Sequence, residues 1–309
     1  MLHARLLTYI DEVVRHGSIR RAAEHLNVAS SAISRQIIAL EEQIGVALFN
    51  RTGRRLKPTA AGELLVRHVR STLREMEHTR AQIEELKGLR RGVVRIGLMS
   101  GLAANIVPRA VTEFRLSNPR VEVRVDLMTT GDQIIAAVER GDVELGIGFD
   151  FPRRPNIRVV HSAPGRLGAV MRPDHPLAQV SMVRISDCAR YPLALADQTT
   201  AIRPIVDQAM KRSGVKPLIV TETNSIEVMR HMAMLGECIT VLTPFDIDSE
   251  RRFARLTYVP IEELARFEQR LMLIQHDSRS DVLASIFSER LKLLINEISS
   301  GSPSEISST

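Results

Sequence analysis

Between Ser30 and Ile44 the apolar residues Ile33, Ile37, Leu40 and Ile44 recur at steps of four, three and four. That spacing predicts a helix with one buried stripe and an open face carrying Ser30, Ser31, Ser34 and Arg35. Upstream, Leu6, Leu7, Ile10, Val13 and Val14 stripe a helix over 3–15. Ile19, Ala22, Ala23 and Leu26 stripe a shorter one, with Ser18 as its N-cap and Asn27-Val28-Ala29 as the turn that ends it. Two short helices joined by a tight turn, packed on the first helix, predict a helix-turn-helix with the Ser30 helix as reader. Gly45 stops that helix and Val46-Ala47-Leu48-Phe49 re-enters as an apolar segment. Asn50 to Pro58 then reads as two very short strands about a Thr52-Gly53 turn, carrying Arg51, Arg54, Arg55 and Lys57. Beside a helix-turn-helix, such a basic hairpin is a wing that lies along the DNA backbone or reaches the minor groove.

From Thr59 to Leu86 the positions Leu65, Val69, Thr72, Met76, Thr79, Ile83 and Leu86 alternate four and three. This is a heptad seam on a helix roughly 40 Å long. Its simplest cover is a second copy of itself, with Leu65, Val69, Met76, Ile83 and Leu86 as the dimerising positions. Lys87-Gly88 and Arg90-Arg91-Gly92 read as a hinge. Beyond it the period changes. Strands over 93–98, 121–127 and 143–149 alternate with helices over 102–116 and 131–140, a βαβαβ series that predicts a parallel sheet covered by helices. A second series follows: strands over 193–195, 218–221 and 239–242, helices over 202–212 and 225–235. Strands within 157–171 form the crossing between the halves, and a strand at 271–274 with a helix over 282–298 returns to the first half.

Composition and charge sharpen this picture. A chain of 309 residues, 44% of them hydrophobic, is large enough for more than one core. It has no apolar run of membrane-spanning length and no apolar N-terminal leader, so a cytoplasmic protein without membrane association is expected. The net charge of +6 falls wholly within residues 1–91, which hold 16 Lys+Arg against 10 Asp+Glu. A basic module on a neutral body is the footprint of a chain that meets a polyanion at one end. Cys188 and Cys238, far apart in sequence, suit a reducing compartment and read as ordinary buried thiols; a redox sensor built on them is a rival reading. Catalytic patterns are missing. Gly97-Leu98-Met99-Ser100-Gly101 is not G-x-S-x-G, there is no phosphate-binding or dinucleotide fingerprint, and the nine histidines show no metal-ligand spacing. The expectation is a non-enzyme with no cofactor and no metal.

Ser18, Ala22-Ala23, Leu26, Val28, Ala32-Ile33-Ser34-Arg35-Gln36-Ile37, Leu40-Glu41, Gly45, Leu48-Phe49, Arg51, Thr59 and Ala61-Gly62, taken in register, resemble the N-terminal signature of the LysR-type transcriptional regulators. One departure stands out: the family usually has Ser-Gln where this chain has Ala29-Ser30. Residues 92–298 resemble periplasmic solute-binding proteins, which is also the family's effector-binding architecture. Gly141 to Gly148, Arg172 to Leu177 and Gly236 to Pro244 carry that likeness. The fold class expected is therefore α+β multidomain: an N-terminal winged helix-turn-helix (1–58), a long dimerising linker helix (59–88), and a C-terminal two-lobed α/β periplasmic-binding-protein-like domain (89–299). Lobe I spans about 89–162 and 266–299, lobe II about 163–265, and the Ser-rich tail 300–309 is disordered. The resemblance implies a homodimer, paired into a homotetramer, on double-stranded DNA with an imperfect palindrome. It also implies that an effector alters DNA bend and RNA polymerase access. The DNA-binding candidates are Ser18, Ser30, Ser31, Ser34, Arg35, Arg51, Arg54, Arg55 and Lys57.

In open α/β sheets a ligand sits beyond the carboxyl ends of the strands, and two lobes turn two such sets of ends toward one cleft. That rule selects Ser100, Gly101, Thr129, Thr130 and Phe149 from the first lobe, and Thr199, Thr200, Asn224, Ser225 and Thr243 from the second. Ser100, Thr130 and Asn224 fall at helix entrances, where backbone N–H groups favour an anion; a small carboxylate effector is expected. The rival is a solute-binding or enzymatic α/β protein with an incidental basic N-terminus.

Overall fold

A computed structural model describes residues 2–50, 56–86, 92–278 and 281–300. Its contacts separate two units, Met1–Gly92 with Arg140–Asp142 on one side and Val93–Glu139 with Val143–Thr309 on the other.

The first unit contains α1 (Leu2–His16), α2 (Ile19–Leu26), α3 (Ser30–Ile44), β1 (Phe49–Asn50), β2 (Lys57–Pro58) and α4 (Ala60–Leu86). Local chemistry sets the boundaries. Ser18 Oγ accepts from the Arg21 N–H at 3.4 Å, Asn27 closes α2 in the left-handed region (φ 52°), and Gly45 does the same for α3 (φ 78°). Ile10, Val13, Ala22, Ala23, Ile33, Ile37, Leu48 and Phe49 form the core, together with Val66 and Val69 of α4. Ile44, expected in the buried stripe, is instead 46% exposed, because the last turn of α3 projects past that core. β1 and β2 pair antiparallel, Phe49 opposite Pro58; the turn that joins them lies outside the described residues.

The seam on α4 needs a correction. Val69 is fully buried among the residues of α1 to α3, and Leu65 packs on the same cluster, so the chain's own helices already cover these two positions. Met76 is 45% exposed and Thr79 is exposed, while the side chains of Ile83 and Leu86 lie outside those described. The Thr72 and Thr79 hydroxyls donate to the His68 and Glu75 carbonyls one turn back, at 3.0 and 2.9 Å, which removes their polarity from the seam. At the head of α4 the Thr59 hydroxyl donates to the Ala47 carbonyl and accepts from the Gly62 N–H. A Cβ at Gly62 would overlap the Leu48 carbonyl oxygen, so only glycine lets α4 approach the segment before the wing this closely.

The second unit contains β3 (Gly92–Met99), α5 (Ser100–Ala103), α6 (Ile106–Ser117), β4 (Val121–Met128), α7 (Gly131–Arg140) and β5 (Leu145–Phe149). There follow β6 (Ile157–Arg166), β7 (Gly168–Met171), α8 (Ile185–Cys188), β8 (Leu193–Ala196), α9 (Ile202–Arg212), β9 (Ile219–Thr223) and α10 (Ile226–Leu235). β10 (Ile239–Leu242), α11 (Asp248–Arg252), β11 (Thr257–Pro260), β12 (Glu268–His276) and α12 (Val282–Ser300) complete it. Two five-stranded sheets result, ordered β4-β3-β5-β12-β6 and β11-β7-β10-β8-β9. Both are mixed, not parallel. β3 with β5, and β8 with β9 and β10, are parallel as the alternating pattern predicts. β12 runs antiparallel to β5 and β6, and β7 antiparallel to β10 and β11. Antiparallel neighbours need no crossover helix, and these strands belong to the segments that pass between the lobes.

β6 stays in the first sheet as far as Arg166, opposite Glu268, so the crossing falls at Leu167, several residues beyond the expected boundary. The helix expected over 102–116 is broken at Ala104 and Asn105. Asn105 leaves helical geometry (φ −121°, ψ −90°), and its buried side chain donates to the Asp246 carbonyl and accepts from the Ser249 N–H. A polar group with two partners elsewhere outweighs the intrinsic continuity of the helix. Phe245, just after β10 of the second sheet, is fully buried in the core that α6, α12 and the first sheet share. The lobes are therefore joined by packing as well as by chain crossings. Among the described residues no helix is long and apolar enough to cross a membrane.

Candidate DNA-reading surface and effector cleft

The reading surface is the open side of α3. Ser30, Ser31 and Arg35 are exposed and Ser34 is half-buried, while Ile33 and Ile37 hold the opposite side in the core. The residue at the N-cap is Ala29 (φ −69°, ψ 134°), and among the described residues no side chain caps the first turn. An uncapped, exposed helix start presents backbone N–H groups and the positive end of the helix dipole, which suits a phosphate. Ser18 is spent on capping α2. Lys57 is exposed on β2, whereas Arg51, Arg54 and Arg55 lie outside the described residues. Glu41, on the flank of α3, accepts from the Leu48 and Phe49 N–H groups at 2.7 and 3.2 Å and so fixes where the wing departs from the helix.

In the second unit the strand-end residues divide into two groups. Ser100, Gly101, Phe149, Ser225 and Thr243 meet at the junction of the lobes. A Cβ on buried Gly101 would overlap the Asp246 carboxylate and touch Ile226, the residue after Ser225. The Phe149 ring centroid lies 6.4 Å from that of Phe245. Thr243 donates both its N–H and its hydroxyl to Asp246 Oδ2, at 2.9 and 2.7 Å. Burial pushes the Asp246 carboxyl above the ordinary carboxylate range, against the bonds from Thr243 and the nearby Arg230 guanidinium. Arg230, itself buried on α10, pairs with Glu227 and lies 3.3 Å from both Glu250 and the Asp246 carbonyl. Ser100 and Asn224 are exposed at this junction's helix entrances.

Like Ser225, whose hydroxyl accepts from the Val228 N–H, and Thr243, the second group has its polar atoms engaged locally. Gln133 Oε1 accepts from the Thr129 N–H and hydroxyl at 2.9 and 2.8 Å and from the Thr130 N–H at 3.3 Å, so α7 is capped by its own side chain. Thr199 donates its N–H and hydroxyl to Asp197 Oδ1, and Thr200 its hydroxyl to the Asp197 carbonyl. An anion at the α7 entrance would have to displace Gln133. Gln133 follows Thr130 at the capping-box interval and was legible on that ground; Asn105, Asp246 and Arg230 carry no sequence signal beyond being polar residues amid apolar ones. Burial pushes the Cys188 thiol up to about 12 and raises Cys238 as well. Arg190, the cation adjacent in sequence, lies near Asp187. This geometry gives Cys188 no activating cation, whereas Cys238 lines a cavity with Arg172 and His175.

A winged helix-turn-helix with an open reading helix, together with a two-lobed α/β body whose strand ends converge, defines a DNA-binding regulator with a ligand-receiving domain. The chain belongs to the LysR family. The family described as "Bacterial regulatory helix-turn-helix protein, lysR family" matches residues 4–63, and "LysR substrate binding domain" matches residues 87–292. The transcriptional dual regulator GltC of Bacillus subtilis is 30% identical over 244 residues, covering 78% of this chain and 80% of that one. A probable RuBisCO transcriptional regulator of Cyanophora paradoxa is 28% identical, covering 92% and 90%. Among solved structures, CbnR complexed with its target DNA is 20% identical with a TM-score of 0.67, covering 94% of this chain and 99% of that one. These neighbours share the fold. The protein is a transcriptional regulator with a helix-turn-helix DNA-binding domain and an effector-binding domain.

Proposed function

We propose that this regulator is a cytoplasmic, non-catalytic homo-oligomer that reads an imperfect palindrome in double-stranded DNA through α3 and the wing, under control of a small carboxylate held between the lobes of the second unit. The observation that carries this reading is the junction itself. Lobe I contributes exposed Ser100, beside Gly101 packed on Asp246; lobe II contributes Asn224, the first turn of α10 and the Thr243–Asp246 turn. The α5 start, where Met99 has no side chain to cap it, offers N–H donors to an anion, and at the α10 start an anion would replace the Ser225 hydroxyl, which accepts from the Val228 N–H at 3.3 Å; a ligand wedged between them acts on both lobes at once. In the dimer, and in a tetramer of paired dimers, that displacement changes the spacing of the reading helices and so the bend of the DNA and access for RNA polymerase. The GltC and RuBisCO regulators named above support the regulatory part of this reading.

The test is thermal stabilisation of the full chain across a panel of small carboxylates. A compound that stabilises the wild type should bind Ser100→Ala or Asn224→Ala at least about tenfold more weakly, the equivalent of one charge-assisted hydrogen bond. Unchanged affinity in both variants would move the effector site elsewhere.

A further inference from the structure

Away from the reading surface and the lobe junction, one more set of side chains converges. Glu12 and His16 lie one turn apart on α1, and His25 lies in the last turn of α2. His16 Nε2 is 3.1 Å and His25 Nδ1 2.9 Å from the same oxygen, Glu12 Oε2. The imidazole centroids are 5.2 Å apart, and the three donor atoms all lie within 4.8 Å of one another. Glu12 is buried at 8% exposure, whereas the His25 side chain is 61% exposed and free to adjust. The Arg15 guanidinium approaches the other carboxylate oxygen, Oε1, at 3.7 Å. Histidine spacing along the chain does not reveal this group because its third member comes from a different helix.

We propose that Glu12, His16 and His25 form a binding site for a zinc-class divalent ion that ties α1 to α2 within the DNA-binding unit. Two imidazole nitrogens and one carboxylate oxygen suit a borderline ion such as Zn²⁺, and they are the wrong set for Mg²⁺ or Ca²⁺, which prefer all-oxygen shells. The spacing is close to what is required. Tetrahedral bonds of about 2.0 Å separate neighbouring ligand atoms by roughly 3.3 Å, a few tenths of an ångström more than the two nitrogen–oxygen distances seen. Turning from hydrogen bonding to metal binding needs a tautomer change and a small movement of the rings, which the exposed His25 side chain allows. His16 carries its proton on Nδ1 and His25 on Nε2, so that each inward nitrogen offers a lone pair. Solvent at the exposed His25 side supplies the fourth ligand. An ion held by residues of two helices binds the folded unit and not the unfolded chain, so its occupancy stabilises the packing on which α3 rests.

The experiment uses the full-length, untagged chain after chelator treatment, titrated calorimetrically with Zn²⁺ and separately with Mg²⁺. Hydrogen exchange of residues 10–26 is followed with and without zinc. The expected result is one zinc per chain, slower exchange in that segment, and no matching response to Mg²⁺. His25→Gln, at a largely exposed position, should weaken zinc binding at least about tenfold and abolish the exchange effect. His16→Gln should do likewise, and His68→Gln, on the exposed side of α4, should leave both intact. Zinc binding that survives His25→Gln and His16→Gln at full strength, an equal response to Mg²⁺, or an unchanged exchange rate would overturn the proposal.

Discussion

At Ala29 the departure from the family pattern has a physical consequence that can be measured. The residue occupies an N-cap with N-cap backbone angles but has no oxygen to offer, so the first turn of α3 lacks a side-chain acceptor. Ala29→Ser should therefore stabilise the DNA-binding unit by roughly 0.5–2 kcal/mol, read as a rise in the denaturant midpoint. The same hydroxyl would compete with a phosphate for those N–H groups, so DNA affinity should not rise in parallel. A lower midpoint would contradict the cap argument. Arg35 is the long cationic side chain on the exposed side of α3, and Arg35→Ala should relax discrimination at one or two base pairs by about 1–3 kcal/mol. Competition binding against single-base variants of an operator checks it; a uniform loss across all sequences would make Arg35 a phosphate contact. Both expectations rest on features visible in the sequence. The role of Glu41 was not: its place in the signature is plain, but that its carboxylate holds the Leu48 and Phe49 N–H groups follows only from the fold.

Elements were legible wherever a period ran long enough between strong stop signals. α2, α7, α9 and β10 match the spacing closely because Ser18, Gly131, Gly214 and Gly236 mark their limits. The pattern failed where a tertiary partner decided the outcome. Asn105 splits a helix whose apolar spacing is continuous, since its amide is bonded to the Asp246–Ser249 segment far along the chain. α4 is the instructive mixture: its heptad pattern is real, but the pattern cannot say which part faces its own unit. Val69 belongs to the core of α1 to α3, and Met76 lies beyond it. The two substitutions should therefore separate. Val69→Ala should destabilise the unit by about 2 kcal/mol through the cavity left behind while preserving self-association. Met76→Glu should leave stability nearly unchanged and weaken dimerisation, seen as a concentration-dependent shift in sedimentation. If Met76→Glu sedimented as the wild type does, α4 would not be the pairing element over this stretch.

Across the whole second unit, the lobe junction is held by groups that are expensive to bury, which makes its stability respond to pH. Asp246 lies where Gly101 of lobe I meets α10 of lobe II, and burial holds its carboxyl above the ordinary carboxylate range. The folded state thus keeps its proton to higher pH than the unfolded chain. Its favourable contribution is fully present below the unfolded carboxylate value, about 4, and is lost as pH rises from there through the raised folded value. Glu144 and Asp248 are pushed the same way by burial, so the trend of the wild type alone does not single out Asp246. Asp246→Asn does. Asparagine offers an oxygen to the Thr243 N–H and hydroxyl but has no ionisation, so the variant's stability relative to wild type should increase as pH rises across that window. Urea unfolding at a series of pH values measures the difference, and parallel curves for the two proteins would show that Asp246 does not link junction and proton. The same comparison bears on regulation. A carboxylate effector placed beside this carboxyl adds a like charge and raises its proton affinity further, so effector binding should take up protons in the wild type and fewer in Asp246→Asn, a difference that calorimetry in two buffers of unlike ionisation heat reads directly.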